Sequence, residues 1–330
     1  MAYIPCLAHN IQLVVQDGLK LSESYTKLIN RVSHDIVSKS KFSHVIAEEL
    51  RKINKKLNKK NLTRWNSVLF MIRSVLRLKP EELKLISDQM PNKTETQRQA
   101  KKNFNLTNIE REMLEELKDL LELFEFVTDE LQSNRINISR VYPCFQFLRK
   151  NLDRTNENEN RLSKIKYTCQ IRSDLLKSLN DRFENLMDDD VFVAATFLDP
   201  LFGIDSFNND KKLVVKARMI SLLKEQETLT RVLQNIQLKS PEKVNNSKKS
   251  SIEINRNNNY VFHREKSTTT TNKIDKSLED EVNDYIRIIT DNNFEIKCSL
   301  LFWKTNEARL PLLCYYYRNI VASVTKEFHC

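Results

Sequence analysis

Two residues near the start of the sequence have the spacing of half a metal site. Cys6 and His9 are three positions apart, and on a helix they lie together on one flank of the apolar face. A structural zinc site needs four ligands, with a second pair close to the first. Of the other four histidines only His329 has a cysteine close by, the terminal Cys330. The sequence therefore predicts no metal at Cys6 and His9.

A tryptophan in residues 63–76 could serve either a helix core or a nucleic acid. Apolar residues recur there at the spacing of one helix face: Trp65, Val68, Leu69, Ile72, Val75 and Leu76. The pattern predicts a core-facing helix over residues 65–78, with Thr63 as its cap and Arg64 in its first turn. In the alternative, Trp65 stacks on a base, an interaction worth about 1–3 kcal/mol. The periodicity favours the core role.

The scarcity of glycine excludes several classes of enzyme. The chain has only Gly18 and Gly203. A Walker-type phosphate loop and a dinucleotide fingerprint both need several glycines close together, so that backbone N–H groups can approach phosphate. The nucleophile elbow of serine hydrolases also needs a pair. Common nucleotide-dependent and hydrolase chemistry is thus not expected, and neither is a hairpin-rich β fold.

The charge balance points to a polyanionic partner. The formal net charge is +10 and the pI is about 9.2, which suits nucleic acid. The alternative is an ordinary lysine-rich solvated surface. No apolar run approaches the roughly 18 residues that a membrane span needs, so no membrane partner is predicted. Six scattered cysteines are typical of reduced thiols in an intracellular protein.

Helical periodicity dominates the rest of the chain. It predicts helices over residues 6–20, 42–57, 107–131, 141–152, 167–187 and 213–238, the third opened by a Thr107–Glu110 capping box. Residues 83–104 are polar and ambiguous, and residues 191–197 form a short buried element. Residues 239–276 are rich in Lys, Asn, Ser and Thr and predict a linker. Residues 300–324 form a compact apolar block.

Four segments in order resemble the hAT superfamily of DNA transposases, and among them the domesticated zinc-finger BED-domain proteins of the ZBED type. The segments are PCLAHNIQLVV (5–15), TRWNSVLFMIRSVL (63–76), AATFLDPLF (194–202) and LLFWKTNEARLPLL (300–313). The resemblance implies a mostly α-helical fold. It divides the chain into a truncated RNase H-like remnant with α+β character (1–62), a helical insertion domain (63–238), a disordered linker (239–276) and a partial hAT dimerisation region (277–330).

The resemblance also implies what chemistry to expect. The family's catalytic centre is two aspartates and a glutamate that hold divalent metal, and both aspartates precede the C-x-x-H motif. Only five residues precede Cys6 here, and Glu327 is at most a remnant of the glutamate. We expect no transposition activity, no small-molecule substrate and no cofactor, with zinc only if a BED finger lies upstream. Asp199-Pro200 is interpreted as a turn.

The functional expectation follows the family. In hAT relatives the C-x-x-H motif lies near bound DNA and the tryptophan stacks on a flipped base, which assigns His9, Arg64 and Trp65 to nucleic-acid contact. The implied partners are DNA and a second copy of the chain, and the implied location is the nucleus. One alternative is a fragment of a ZBED-type transcription regulator or SUMO-ligase-like protein. Another is a helical scaffold with no nucleic-acid role.

Overall fold

A computed structural model describes residues 6–61, 64–132, 138–153, 166–238, 277–291, 296 and 298–324, with the backbone alone for 229–238 and 320–324. The described residues contain helices and turns and no strand. This confirms the predicted mostly α-helical fold. The α+β character expected of an RNase H-like remnant is not seen in residues 6–61, which are helical or irregular. None of the described helices combines the length and the apolar composition of a membrane span.

The helices of the described residues are numbered in chain order. The first eight are α1 (Leu7–Leu21), α2 (Glu23–Arg31), α3 (Lys39–Phe42), α4 (His44–Lys52), α5 (Asn66–Leu76), α6 (Pro80–Asp88), α7 (Glu95–Asn103) and α8 (Asn108–Gln132). Then come α9 (Val141–Leu152), α10 (Cys169–Met187), α11 (Asp190–Leu198), α12 (Asn209–Leu238), α13 (Leu278–Thr290), α14 (Ser299–Thr305) and α15 (Pro311–Val324). A π-helical segment, Val32–Ser38, joins α2 to α3.

The chain divides into two compact units, with boundaries after Ser206 and after Arg318. The first unit contains α1 to α11, and the second contains α12 to α14 and most of α15. The predicted domain boundaries at residues 62/63, 238/239 and 276/277 stay predictions, and residues 239–276 lie outside the described residues.

The long helix α8 is the centre of the first unit. Its predicted capping box is present: the Thr107 N–H donates to the Glu110 carboxylate at 2.9 Å, and the Glu110 N–H donates to the Thr107 hydroxyl at 3.2 Å. The predicted apolar stripe is buried at Leu114, Leu117, Leu120, Leu121, Phe124 and Val127. Helices α1, α5 and α9 pack against it. The apolar period of the sequence is thus the one that builds the core.

Helix α1 packs closely against α10 at Gly18. A Cβ atom at this position would lie 2.5 Å from Leu175 Cδ2 and 2.6 Å from Leu175 Cγ, so only glycine permits the approach. Next to it, Asp17 accepts hydrogen bonds from Ser178 Oγ at 2.9 Å and from Arg182 Nη2 at 2.7 Å. Burial alone would raise the pKa of Asp17, but these bonds hold it below its ordinary value. A polar contact thus fixes the register of the two helices.

The predicted helix over residues 42–57 is wrong in its second half. Helix α4 ends at Lys52 because Asn54 adopts a left-handed conformation, with φ 53°. The Lys55 N–H then bonds to the Leu50 carbonyl at 2.9 Å and the Asn54 N–H to the Arg51 carbonyl at 3.0 Å, the pairing of a Schellman motif. The chain leaves the helix at Lys55 and continues without regular structure to Asn61.

Several other boundaries differ from the predictions. Residues 22–42 form α2, the π-helical segment and α3, which the apolar pattern did not predict. The ambiguous residues 83–104 form parts of α6 and α7, and the short buried element at 191–197 is the helix α11. The helix predicted over 65–78 is α5, two residues shorter at its C-terminal end, and Pro80 is the first residue of α6.

The second unit is organised by an aromatic cluster. Trp303 stacks between Tyr285 and Tyr317, with ring centroids 5.2 Å away on each side, and Phe302 meets it edge-on at 5.3 Å. The Phe302-Trp303 pair of the fourth motif is therefore core, at 4% and 2% exposure. Beside the cluster the buried carboxylate of Glu281 accepts the Leu313 N–H at 2.8 Å, which places negative charge at the N-terminal end of α15.

We predict that Gly18→Ala lowers the free energy of unfolding by about 1–3 kcal/mol, because the new methyl group overlaps the Leu175 side chain. Chemical denaturation measures the change. The matched control is the double variant Gly18→Ala/Leu175→Ala, in which the clash is gone and the cost is less than the sum of the two single changes. Additive costs would contradict the close approach.

Candidate nucleic-acid interface

Trp65 is part of the core. It precedes the first residue of α5 with helical backbone angles, φ −60° and ψ −35°, and its side chain is 4% exposed. Its carbonyl accepts the Val68 N–H at 2.8 Å, which continues the turn into α5. Of the other apolar residues of the stripe, Leu69, Ile72 and Val75 are fully buried, while Val68 and Leu76 are half-buried. The structure therefore places Trp65 in the role that the periodicity favoured, and its ring is covered.

Ser67 closes the loop that leads into α5. Its hydroxyl oxygen accepts the Asn61 N–H at 2.7 Å and lies 2.6 Å from the Arg64 carbonyl oxygen. The predicted cap, Thr63, lies outside the described residues. The serine of the TRWNS motif thus has a local structural role, because it ties the incoming chain to the first turn of the helix.

A second serine holds the same chain further along α5. Residues 55–61, here called the basic segment, run beside the helix. The Asn58 N–H donates to Ser74 Oγ at 3.0 Å, and the Asn58 side-chain amide donates to the Phe70 carbonyl at 3.4 Å. The bonds to Ser74 and Ser67 are seven helical residues apart, about 10 Å. The chain spans this distance in the three residues from Asn58 to Asn61, which requires an extended backbone. Because Asn58 lies beside Ser74 and Asn61 beside Ser67, this part of the segment runs antiparallel to α5.

Cations fix the C-terminal end of α5. Lys55 Nζ donates to the Arg77 carbonyl at 2.6 Å and pairs with Glu82 at 2.5 Å. The Arg111 guanidinium, from α8, donates to the Leu76 carbonyl at 3.3 Å and to the Leu78 carbonyl at 2.5 Å. Positive charge at free carbonyls complements the helix dipole. Lys55 and Arg111 therefore stabilise the end of the helix.

Residues 51–80 carry a strong excess of positive charge. They contain no aspartate or glutamate and ten basic residues: Arg51, Lys52, Lys55, Lys56, Lys59, Lys60, Arg64, Arg73, Arg77 and Lys79. Ten equals the formal net charge of the whole protein, +10. The charge excess is thus balanced elsewhere and concentrated here, a distribution that the overall composition does not reveal.

Some of these cations have acidic partners. Lys52 pairs with Glu49 at 2.7 Å, and Arg73 reaches Glu122 at 2.9 Å and Glu125 at 2.5 Å on α8. These contacts neutralise the two side chains and fix α5 on α8. The other basic residues of the stretch form no ion pair with an α8 carboxylate among the described residues.

The basic segment also has one lysine turned to a neutral partner. Lys60 Nζ donates to the side-chain oxygen of Asn30 at 2.6 Å, and burial lowers its pKa. Lys56, Lys59 and Arg64, by contrast, are exposed and form no ion pair among the described residues. These three side chains are called the basic surface below. They are free to neutralise an external anion.

The remaining predicted residues do not gather at one site. His9 is exposed on α1, and no hydrogen bond or ion pair within the described ranges links it to the basic surface. Arg64 and Trp65 are adjacent but diverge, since Arg64 is exposed and Trp65 buried. Glu327 lies outside the described residues. No group of three or more His, Cys, Asp or Glu side chains in the described part of the chain is placed to hold a metal ion.

Asp199 has the structural role predicted for it. It is 2% exposed, and its carboxylate accepts the Ser139 hydroxyl at 2.6 Å and the Leu201 N–H at 3.1 Å. Its carbonyl accepts the Gly203 N–H at 2.7 Å. The Asp-Pro pair is a turn, as expected, and its carboxylate also ties the end of α11 to the chain ahead of α9.

Comparison with known protein families agrees with this architecture. Residues 4–119 match the family model described as the ZBED1 RNase-like helical domain. The match spans α1 to α7 and the first half of α8, and so includes the basic surface. It confirms the resemblance to ZBED-type, hAT-derived proteins. No curated protein matches the chain.

We predict that Trp65→Ala lowers the free energy of unfolding by about 3–5 kcal/mol, because it removes a buried aromatic side chain and leaves a cavity. The matched control is Phe70→Ala, on the same helix at 45% exposure, which should cost about 1 kcal/mol or less. Equal costs in chemical denaturation would contradict the core placement of Trp65.

Proposed function

We propose that this chain, which matches the ZBED1 RNase-like helical domain over residues 4–119, is a catalytically inactive, hAT transposase-derived protein that binds nucleic acid through the basic surface. The observation that carries the proposal is the acid-free stretch of residues 51–80. Within it Lys56, Lys59 and Arg64 are exposed and have no acidic partner among the described residues. Free cations on a fixed backbone are what phosphate contacts require.

The form of the basic segment supports a sequence-tolerant mode of binding. Lys56 and Lys59 are three residues apart, so their Cα atoms lie no more than about 11 Å apart. Flexible lysine side chains at that distance reach separate phosphates along one strand. Lysine binds phosphate as a point charge on a flexible side chain, without the rigid planar fork of arginine. The expected binding is electrostatic, weakens with salt and does not depend on sequence.

Catalytic inactivity and a nuclear location are parts of the same proposal. They rest on the hAT motif pattern, in which paired aspartates precede the C-x-x-H motif and are lacking in these 330 residues. Binding without cleavage suits a regulatory or architectural role in the nucleus. Cleavage of transposon-end DNA by the purified chain with magnesium or manganese would contradict the inactivity without affecting the proposed binding.

Exposed apolar residues of the second unit favour self-association as an additional property. Leu300 and Leu301 on α14 are 65% and 59% exposed, and Tyr315 on α15 is 51% exposed. They lie on the two helices that also supply Phe302, Trp303 and Tyr317 to the aromatic cluster. Because these three large apolar side chains are exposed together on α14 and α15, they have the composition of a protein contact.

We predict that the protein binds duplex and single-stranded oligonucleotides with an affinity that falls steeply as salt increases. Replacing Lys56, Lys59 and Arg64 with alanine should weaken binding and flatten the plot of log affinity against log salt by about 0.9 for each lost duplex phosphate contact. Fluorescence anisotropy over a salt series measures both. The control variant Arg149→Ala/Lys166→Ala/Lys177→Ala removes the same charges from exposed positions outside the stretch.

The control separates local contact from net charge. If both triple variants bind equally weakly, the effect is that of overall charge and the basic surface is not the site. If the wild-type chain fails to bind at low salt, the nucleic-acid proposal is wrong and the helical scaffold remains as the function.

We predict that the protein forms a dimer at micromolar concentration and that Leu300→Ser/Leu301→Ser/Tyr315→Ser makes it monomeric, because the apolar contact is lost. Sedimentation velocity gives the oligomeric state. The matched control is Leu213→Ser/Val214→Ser, at two α12 residues with 77% and 63% exposure, and it should remain dimeric. A wild-type chain that is monomeric at this concentration would refute self-association.

A further inference from the structure

Phe70 is an exposed aromatic ring beside the basic segment. It lies on α5 at 45% exposure, while Trp65, five residues earlier, is 4% exposed. Single exposed apolar residues are common on protein surfaces, and exposure alone has no functional meaning. The position of Phe70 relative to the fixed cations is what distinguishes it.

The hydrogen bonds to α5 place Phe70 between the two points where the basic segment is attached. Ser67 and Ser74 lie three residues before and four residues after Phe70, on the same helix face. Their hydroxyls bind the N–H groups of Asn61 and Asn58. Lys59 lies between these two asparagines, and the Asn58 side chain reaches the Phe70 carbonyl. The backbone at Lys59 therefore runs beside the turn of α5 that carries Phe70.

The cations around the ring have no competing acids in the local sequence. The nearest acidic residue after Phe70 is Glu81 and the nearest before it is Glu49. Arg73, three residues after Phe70 on α5, is bound to Glu122 and Glu125 and is not counted among the free cations. An exposed aromatic ring beside a free lysine is a combination by which proteins bind unpaired bases: the base stacks on the ring and the lysine neutralises a phosphate.

We propose that the basic surface takes single-stranded nucleic acid, with an unpaired base stacked on Phe70 and an adjacent phosphate bound by Lys59. This rests on the proposed nucleic-acid function and adds its substrate class. A duplex buries the faces of its bases, so it can use the lysines but not the ring. Base stacking has no sequence code, because every base has a π face. The aromatic contact is thus assigned to Phe70, and Trp65 remains core.

The test compares fluorescein-labelled oligo-dT of about 20 nucleotides with a duplex of the same length, at one salt concentration. Phe70→Ala and Phe70→Leu should each weaken oligo-dT binding by roughly 10-fold, as expected for loss of one stacked base, with duplex affinity unchanged. Phe70→Trp should bind oligo-dT at least as tightly as the wild type. Phe70→Leu keeps the apolar volume, so its loss of binding is not a loss of fold.

Phe126→Ala is the matched control, because Phe126 is 51% exposed on another helix of the same unit; it should bind both probes as the wild type does.

Normal oligo-dT binding by Phe70→Leu, with binding lost in the Lys56/Lys59/Arg64 variant, would overturn the stacking assignment and leave the proposed function intact. Equal weakening for both probes would also overturn it. If the wild type binds neither probe, the proposed function itself has failed. If Phe70→Leu leaves both affinities unchanged and lowers self-association, the ring is a protein contact.

Discussion

Two serine hydroxyls on one face of α5 hold the basic segment in place. Ser67 and Ser74 accept the N–H groups of Asn61 and Asn58, so the extended chain satisfies its backbone through side chains instead of through a helix or a sheet. The two serine hydroxyls thus fix the backbone of the segment without any contribution from the side chains of Lys56 and Lys59. The exposed lysines of the segment are consequently available to an external partner, while their backbone stays fixed.

The position of α5 depends in turn on α8. Arg73 binds two glutamates of α8, and Arg111 of α8 binds the last carbonyls of α5. Together with Trp65 in the core, these contacts fix both ends of the helix. The basic residues of this region thus have two separate roles. Arg73 and Lys55 stabilise the fold through their contacts with carboxylates and a backbone carbonyl. The three residues of the basic surface form no ion pair among the described residues. A substitution in the first group should act on stability and one in the second on binding.

Much of the helical architecture could be predicted from the apolar period. The stripe and capping box of α8 are confirmed, and α9 occupies the residues predicted for it, Val141–Leu152. Such features are local, because the residues that determine them lie within one or two turns. The core position of Trp65 was favoured on the same ground. The family resemblance added the four motifs and their order, and the match over residues 4–119 agrees with it.

The candidate site was less predictable, because its contacts are not local in pattern. The lysines after α4 continue a helical period, yet Asn54 ends the helix and the chain pairs with hydroxyls up to 16 residues further on. No periodicity signals such a pairing. Phe70 appeared as an ordinary helix residue, since its exposure depends on how α5 lies on α8. One signal was available in the sequence and was missed: the absence of acidic residues from positions 51–80.

Amide hydrogen exchange in the free protein tests most directly whether the basic segment is fixed on α5. The structure predicts that the N–H groups of Asn58 and Asn61 exchange slowly, since each is bonded to a serine hydroxyl. The double variant Ser67→Ala/Ser74→Ala should lose this protection at both positions, while the amides of α8 keep theirs. Exchange at the unprotected rate at Asn58 and Asn61 in the wild-type protein would contradict the account.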